Sequence, residues 1–434
     1  MSSTVQPQTA VIYPASSGFG AASSSSNPGA ASSYEPSGDA LTAIATAGAV
    51  AAIANSEATT SPLQGRVDVS IPPLPLEDQQ NPQNLITFFQ RIRVTNKPGI
   101  PSDISPREQA QTIHEWMHGP GKETLLELNN LDLSNAGLTF LPEAIALCLN
   151  LTELNLSNNK LGNLPPEMRV LKQLERLDLG QNNLHWVPDA VPSFENLQRL
   201  DLSSNALGSL PTRMQYLVKL ELLMLQNNKF RYFPDSKELP PNLEHLNFDN
   251  NQLTTVGPSI GLLLKLKTLS IAYNELKKIH SAIGNLVHLS QLYLNDNELS
   301  TLPQEIGNLR NLNGFYLKRN QLSSVPSSIG NLTNLRLLDL TRNQLTSIPP
   351  SIGLLTQLQQ LKLTSNEITT LPIEVKQLKL LNLDITGNPL STEILPVPPQ
   401  IQERLERLAN SGNIGQIREP STYYTTTPES KEPR

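Results

Sequence analysis

His114-Glu115-Trp116-Met117-His118 places two imidazoles four residues apart with a carboxylate beside the first. On a helix that spacing puts both rings on one face, where they can hold zinc while the glutamate activates a bound water. Such a hydrolase also needs a third ligand and an open site in a cleft. Gly119-Pro120 ends the helix at once, and the short segment before the next pattern leaves little room for either. The expectation is therefore no catalytic residue, no metal and no cofactor, with zinc hydrolysis through 114–118 as a remote alternative. His185, His245, His280 and His288 are dispersed and form no triad with a serine and an aspartate. Cys148 is the sole cysteine, which excludes an internal disulfide framework and fits a reducing, cytoplasmic setting.

A second set of side chains suits recognition. Tyr273, Tyr293 and Tyr316 are expected to line adjacent strands, followed by Lys318, Arg319 and Arg342, with Leu222 and Met224 upstream. Aromatic and arginine side chains clustered on one surface dominate protein-binding hot spots. Nucleic acid fits poorly, because Asp296 and Asp339 interleave with the bases and the chain carries 33 Lys plus Arg against 39 Asp plus Glu. The same balance disfavours an anionic membrane. Leu41–Ala54 is half alanine and too short to cross a bilayer.

What must position these residues is a repeat. Units begin at Leu128, Leu151, Leu174, Leu197, Leu220, Leu243, Leu266, Leu289, Leu312, Leu335 and Leu358, always 23 residues apart, and a remnant begins one residue early at Leu380. Each reads Leu-x-x-Leu-x-Leu-x-x-Asn-x-Leu-x-x-Leu-Pro, then x-x-Ile-Gly-x-Leu. Alternation at Leu154-x-Leu156 is that of a short strand with leucines inward. The Asn of the ninth position, from Asn159 to Asn388, can serve neighbouring backbone groups with both ends of its amide; only the first unit departs, with Ala136. Cys148 falls in a leucine column and should behave as a small buried hydrophobe. His280 replaces a proline, as Gly257 does one unit earlier, and a looser turn is expected there. Arg176 and Arg199 stand two residues before Asp178 and Asp201 and could neutralise them.

This period identifies the leucine-rich repeat, and the resemblance implies an α/β fold: a horseshoe solenoid with a parallel concave sheet, which neighbouring units stabilise only by stacking. Leu302-Pro303-Gln304-Glu305-Ile306-Gly307-Asn308-Leu309 resembles the repeats of Ras-group and Scribble-type proteins over about 60% of the chain. Two leader helices running into Leu131-Asp132-Leu133-Ser134-Asn135 resemble the start of YopM-type and IpaH-type secreted effectors. The latter carry a ligase domain with a catalytic cysteine, and no cysteine follows the repeats here.

The organisation expected is a base-free Ala/Ser-rich disordered leader (1–65), a helical N-terminal cap (66–127), about 12 repeats (128–391), a helical C-terminal cap (392–410) and a polar tail (411–434). In the cap, Asn81-Pro82 should start a helix with Asn as its cap, burying Leu85, Phe88, Phe89 and Ile92 on one face, and Ser105 to Glu108 reads as a capping box. The functional expectation is a non-enzymatic, cytoplasmic scaffold or signalling regulator. It would act as a monomer, binding a small GTPase, kinase or phosphatase on its concave face. The alternative is a type III effector delivered into a host cell.

Overall fold

The computed structural model describes residues 72–93 and 97–390. The expected leader, C-terminal cap and tail lie outside the described residues.

Each unit contributes a three-residue strand two positions after its first leucine, as in Glu153–Asn155 and Arg176–Asp178. Leu154 points inward and is buried, while its two neighbours remain partly exposed. Among the described residues, twelve such strands form one parallel sheet in chain order, from Asn130–Asp132 to Asn382–Asp384. Pairing advances by one repeat: Leu154 lies opposite Leu177, and Leu292 opposite Phe315. At the last pair Leu361 faces Leu383, which follows from the early start at Leu380.

The asparagine ladder forms as its chemistry predicts. Asn159 accepts the N–H of Ala136 and Leu138 at 3.1 and 3.0 Å and donates to the carbonyls of Leu133 and Leu156, both at 2.9 Å. The same pattern closes at the far end, where Asn388 accepts from Ile368 and donates to Leu363 and Ile385. Buried backbone at the bend of each coil is thereby satisfied. Proline then opens a 3-10 helix in most units, as Pro303 does before Gln304–Asn308, whose Ile306 N–H returns to the Pro303 carbonyl at 3.1 Å. Here glycine is required: a Cβ on Gly284 would lie 2.6 Å from the Glu305 carbonyl oxygen of the next coil.

The looser turn expected at His280 is the reverse of what is found. His280 donates its N–H to Val256 at 3.0 Å, and Thr255–Val256 pairs in parallel with Lys278–Ile279 as a ribbon separate from the main sheet. A proline at 280 would have no proton for that bond. The His280 ring also caps the following 3-10 helix by accepting from Ala282.

Among the described residues four helices precede the stack: α1 (Leu76–Gln80), α2 (Pro82–Arg91), α3 (Pro106–His118) and α4 (Lys122–Leu125). α1 has no counterpart in the sequence reading. Leu85, Phe88, Phe89 and Ile92 are all buried, as the spacing predicts. Phe89 meets Trp116 edge to face at 5.5 Å, and the capping box of Ser105 and Glu108 starts α3. Asn81 does not cap α2 with its side chain; its N–H closes α1 on Glu77, which fixes it as the end of the earlier helix. Asn84 clamps the cap to the first repeat, donating to Thr139 Oγ1 and accepting the Thr139 N–H. One apolar core runs from Leu74 to Ile385, with each fully buried leucine contributing about 2 kcal/mol. Cys148 sits within it, fully buried, and burial pushes its thiol up to about 12, so it is inert as a nucleophile.

Candidate protein-binding face

The third and fifth positions of each unit face outward from the sheet and compose the inner wall of the solenoid. In its early units the wall is occupied by its own pairs. Arg176 reaches back to Glu153 of the preceding unit instead of forward to Asp178, a correction to the sequence reading. Asp178 and Asp201 accept the N–H of Gly180 and Ser203 at 2.9 and 2.8 Å, and among the described residues neither forms an ion pair with an arginine.

Leu222 and Met224 occupy both outward positions of one strand, half-buried between polar neighbours. Facing them are His245 and Asn247, and burial holds His245 below its usual pKa.

Tyr293 and Tyr316 lie opposite each other on adjacent strands, with ring centroids 4.5 Å apart and planes 9° from parallel. Burial raises the Tyr316 phenol above its ordinary range; a hydrogen bond with Tyr293 opposes the shift and Asp339 reinforces it. Beneath the pair lies Gly314, a residue the sequence reading passed over. A Cβ there would collide with Gln291 Oε1 and stand 2.9 Å from Tyr316 Cε2. The missing side chain is the signal: Gly314 is the only glycine among the outward strand positions of the eleven full units.

Tyr273 does not join the stack. The strand of its unit is Thr268–Ser270, and Tyr273 follows it at φ 55°, 58% exposed. Asp296, Arg319 and Arg342 hold the same place in the next three units at φ 53°, 57° and 57°. These four line the rim above the strands, not the strands themselves. Four other units use Asn there (Asn135, Asn158, Asn227 and Asn250), which tolerates this left-handed backbone. Tyrosine and arginine do not, at on the order of 1 kcal/mol each. Gln181, Ser204 and Ser365 hold the place in the remaining three full units, so the conformation belongs to the turn of every coil. Arg319 pairs with Asp296 at 3.1 Å across units, and Lys318 is exposed beside it.

Leucine-rich repeat models match residues 150–171, 172–230 and 241–299, and a leucine-rich repeat region model matches 274–365. The chain is a leucine-rich repeat protein. It is 46% identical over 44 residues to a leucine-rich repeat protein soc-2 homolog of Drosophila erecta, a segment covering 10% of this chain and 7% of that relative. Among solved structures it is similar to a leucine-rich repeat protein of Leptospira interrogans, 29% identical over 81% of this chain and 98% of that one, with a TM-score of 0.57. An internalin of Listeria monocytogenes shares the fold at 23% identity, a TM-score of 0.55, and 63% and 77% of the two chains. Leucine-rich repeat folds are typically non-enzymatic interaction modules.

The zinc-type motif of this leucine-rich repeat protein is built into its cap. His114 Nε2 lies 2.7 Å from the Pro72 carbonyl, and His118 Nδ1 lies 3.1 Å from the His114 carbonyl. Glu115 is exposed and accepts from Gln111 at 2.7 Å, turned away from any shared metal position. Both rings thus serve as ties for the backbone around α3.

Proposed function

We propose that this protein is a cytoplasmic scaffold or signalling regulator that docks a partner protein on the inner wall, centred on the Tyr293–Tyr316 stack. The stack is the observation that carries the reading. Two aromatic rings held parallel on outward, half-buried strand positions take no part in the leucine core, and Gly314 leaves room for Tyr316 and Gln291. Tyr273, Arg319 and Arg342 line the rim above the stack with Lys318 beside Arg319, while Leu222 and Met224 form a separate apolar spot upstream, two polar strands away. This is the aromatic centre with a polar rim expected of a hot spot. A small GTPase, kinase or phosphatase is the class of partner proposed.

Affinity capture with the full chain and with Tyr293→Ala/Tyr316→Ala tests the assignment. A protein retained by the wild type and released by the double variant, with far-UV circular dichroism unchanged, supports the stack. Equal retention by both assigns docking elsewhere. The leader composition supports a second reading, delivery into a host cell. Export of a reporter fused to residues 1–65 through a type III apparatus decides for it.

A further inference from the structure

Where the cap meets the first repeats, a cavity of about 90 Å³ lies among Pro72, α1, α3 and the 3-10 helices Glu143–Leu147 and Pro166–Val170. Three carboxylates line it: Asp78, Glu143 and Glu167. Asp78 is 98% buried, being 2% exposed, and its Oδ1 has no hydrogen-bond partner; Glu167 Oε2 is likewise buried and unpartnered. Among the described residues none of the three forms an ion pair with a lysine or arginine. A buried carboxylate oxygen left without a donor is destabilising, and a donor brought to it relieves that cost.

The two histidines of the wall sharpen the character of the cavity. Each directs one ring nitrogen at a backbone carbonyl, which can only accept, so that nitrogen carries the proton. In a neutral ring the other nitrogen is an acceptor. Burial and the neighbouring His114 hold His118 below its usual pKa and favour the neutral ring. Among the lining side chains, the unpartnered carboxylate oxygens of Asp78 and Glu167 are the acceptors left over, and they call for a donor-rich cation.

A single metal ion is a poor match, because among the described residues no three His, Cys, Asp or Glu side chains converge closely enough to hold one. A guanidinium spreads five N–H donors over a plane and can bridge acceptors that stand too far apart for one ion. The volume suits a group of several heavy atoms, since one water needs only ~10–15 Å³ on the same measure. Glu143 is exposed, which places the cavity mouth at its side chain.

We propose that this cavity is a guanidinium-binding site, with Asp78 as its buried anchor and Glu167 and Glu143 completing the acceptor set. The guanidinium belongs either to an arginine of another protein or to Arg66 of this chain, six residues before the wall residue Pro72. Calorimetric titration of the full chain with methylguanidinium at pH 8, against sodium chloride of equal ionic strength, distinguishes the two. Saturable binding by both the wild type and Arg66→Ala supports the site and assigns it to an external arginine. Binding by Arg66→Ala alone supports it and assigns it to Arg66. In the binding-competent background, Asp78→Asn is expected to weaken binding at least tenfold. Glu167→Gln, a milder change, should weaken it about threefold and serves where the first variant fails to fold. Absence of saturable binding in both starting proteins overturns the proposal. So does full affinity in the carboxylate variants, or saturable zinc binding in place of guanidinium binding.

Discussion

The bends of the repeats and the N-terminal cap handle buried polar groups in opposite ways. Within the stack, Asn182 accepts the Leu161 N–H at 3.0 Å and donates to the carbonyls of Leu156 and Leu179, and the same bonds recur one coil later at Asn205. Translation copies the solution, so one well-chosen residue type serves every bend. The cap has no such symmetry. There Asp78 is buried with an orphan oxygen, and two more carboxylates crowd the same cavity. The difference teaches where to look for function in a repetitive molecule: at groups that the repeating bonds do not account for.

The contrast can be broken most severely inside the ladder. Asn297→Ala leaves the Leu276 N–H and the Ile271 and Leu294 carbonyls without their partner, and urea unfolding should show a loss of about 4 kcal/mol. Asn182→Ala should lose a similar amount, since its surroundings are the same; a loss under 1 kcal/mol at either site would break the comparison.

In the cap the sign should invert. Burial, with Glu143 and Glu77 nearby, raises the Asp78 carboxyl from 3.8 to about 7, so the folded state holds its proton more tightly than the unfolded chain. Its contribution to stability is complete below about pH 4 and is lost as pH rises through 7. Asp78→Asn should flatten that decline and stabilise the protein by about 2 kcal/mol at pH 8, measured by thermal unfolding across the pH series.

On the inner wall, stability and binding should separate. Tyr293→Ala/Tyr316→Ala should weaken partner affinity at least tenfold, about 1.5 kcal/mol or more, while unfolding free energy changes by less than 1 kcal/mol. An equal fall in both quantities would return the stack to a structural role. The smallest effect belongs to the exposed pair of Arg176 and Glu153, where Arg176→Ala should alter stability by under about 0.5 kcal/mol.

The stack was legible because its physics is periodic. Leucine spacing set the strands, the ninth-position amide set the bends, and Cys148 fell into a leucine column as it does in the core. The inner wall was legible only in part. Tyr293 and Tyr316 could be placed from their positions in the unit, but Tyr273, Arg319 and Arg342 belong to a left-handed turn whose backbone only the coordinates show. Gly314 matters through an absence, which pattern reading overlooks. The cap resisted for another reason: the closeness of Asp78 to Glu143 and Glu167 joins segments 65 and 89 residues apart with no repeat to relate them. The ribbon at Thr255 and Lys278 is not legible in the pattern because the loss of a proline signals lost rigidity there, whereas in the fold it restores a backbone donor.

The glycine column of the later coils bears on mechanics. At Gly284, Gly330 and Gly353 the adjoining coil already stands where a methyl group would be, with Glu305, Ser351 and Glu374 atoms at 2.6, 2.5 and 2.6 Å from that point. Along that edge the spacing of the coils has no room for a side chain, so a larger residue in the glycine column would have to wedge neighbouring coils apart and change the curvature of the stack there.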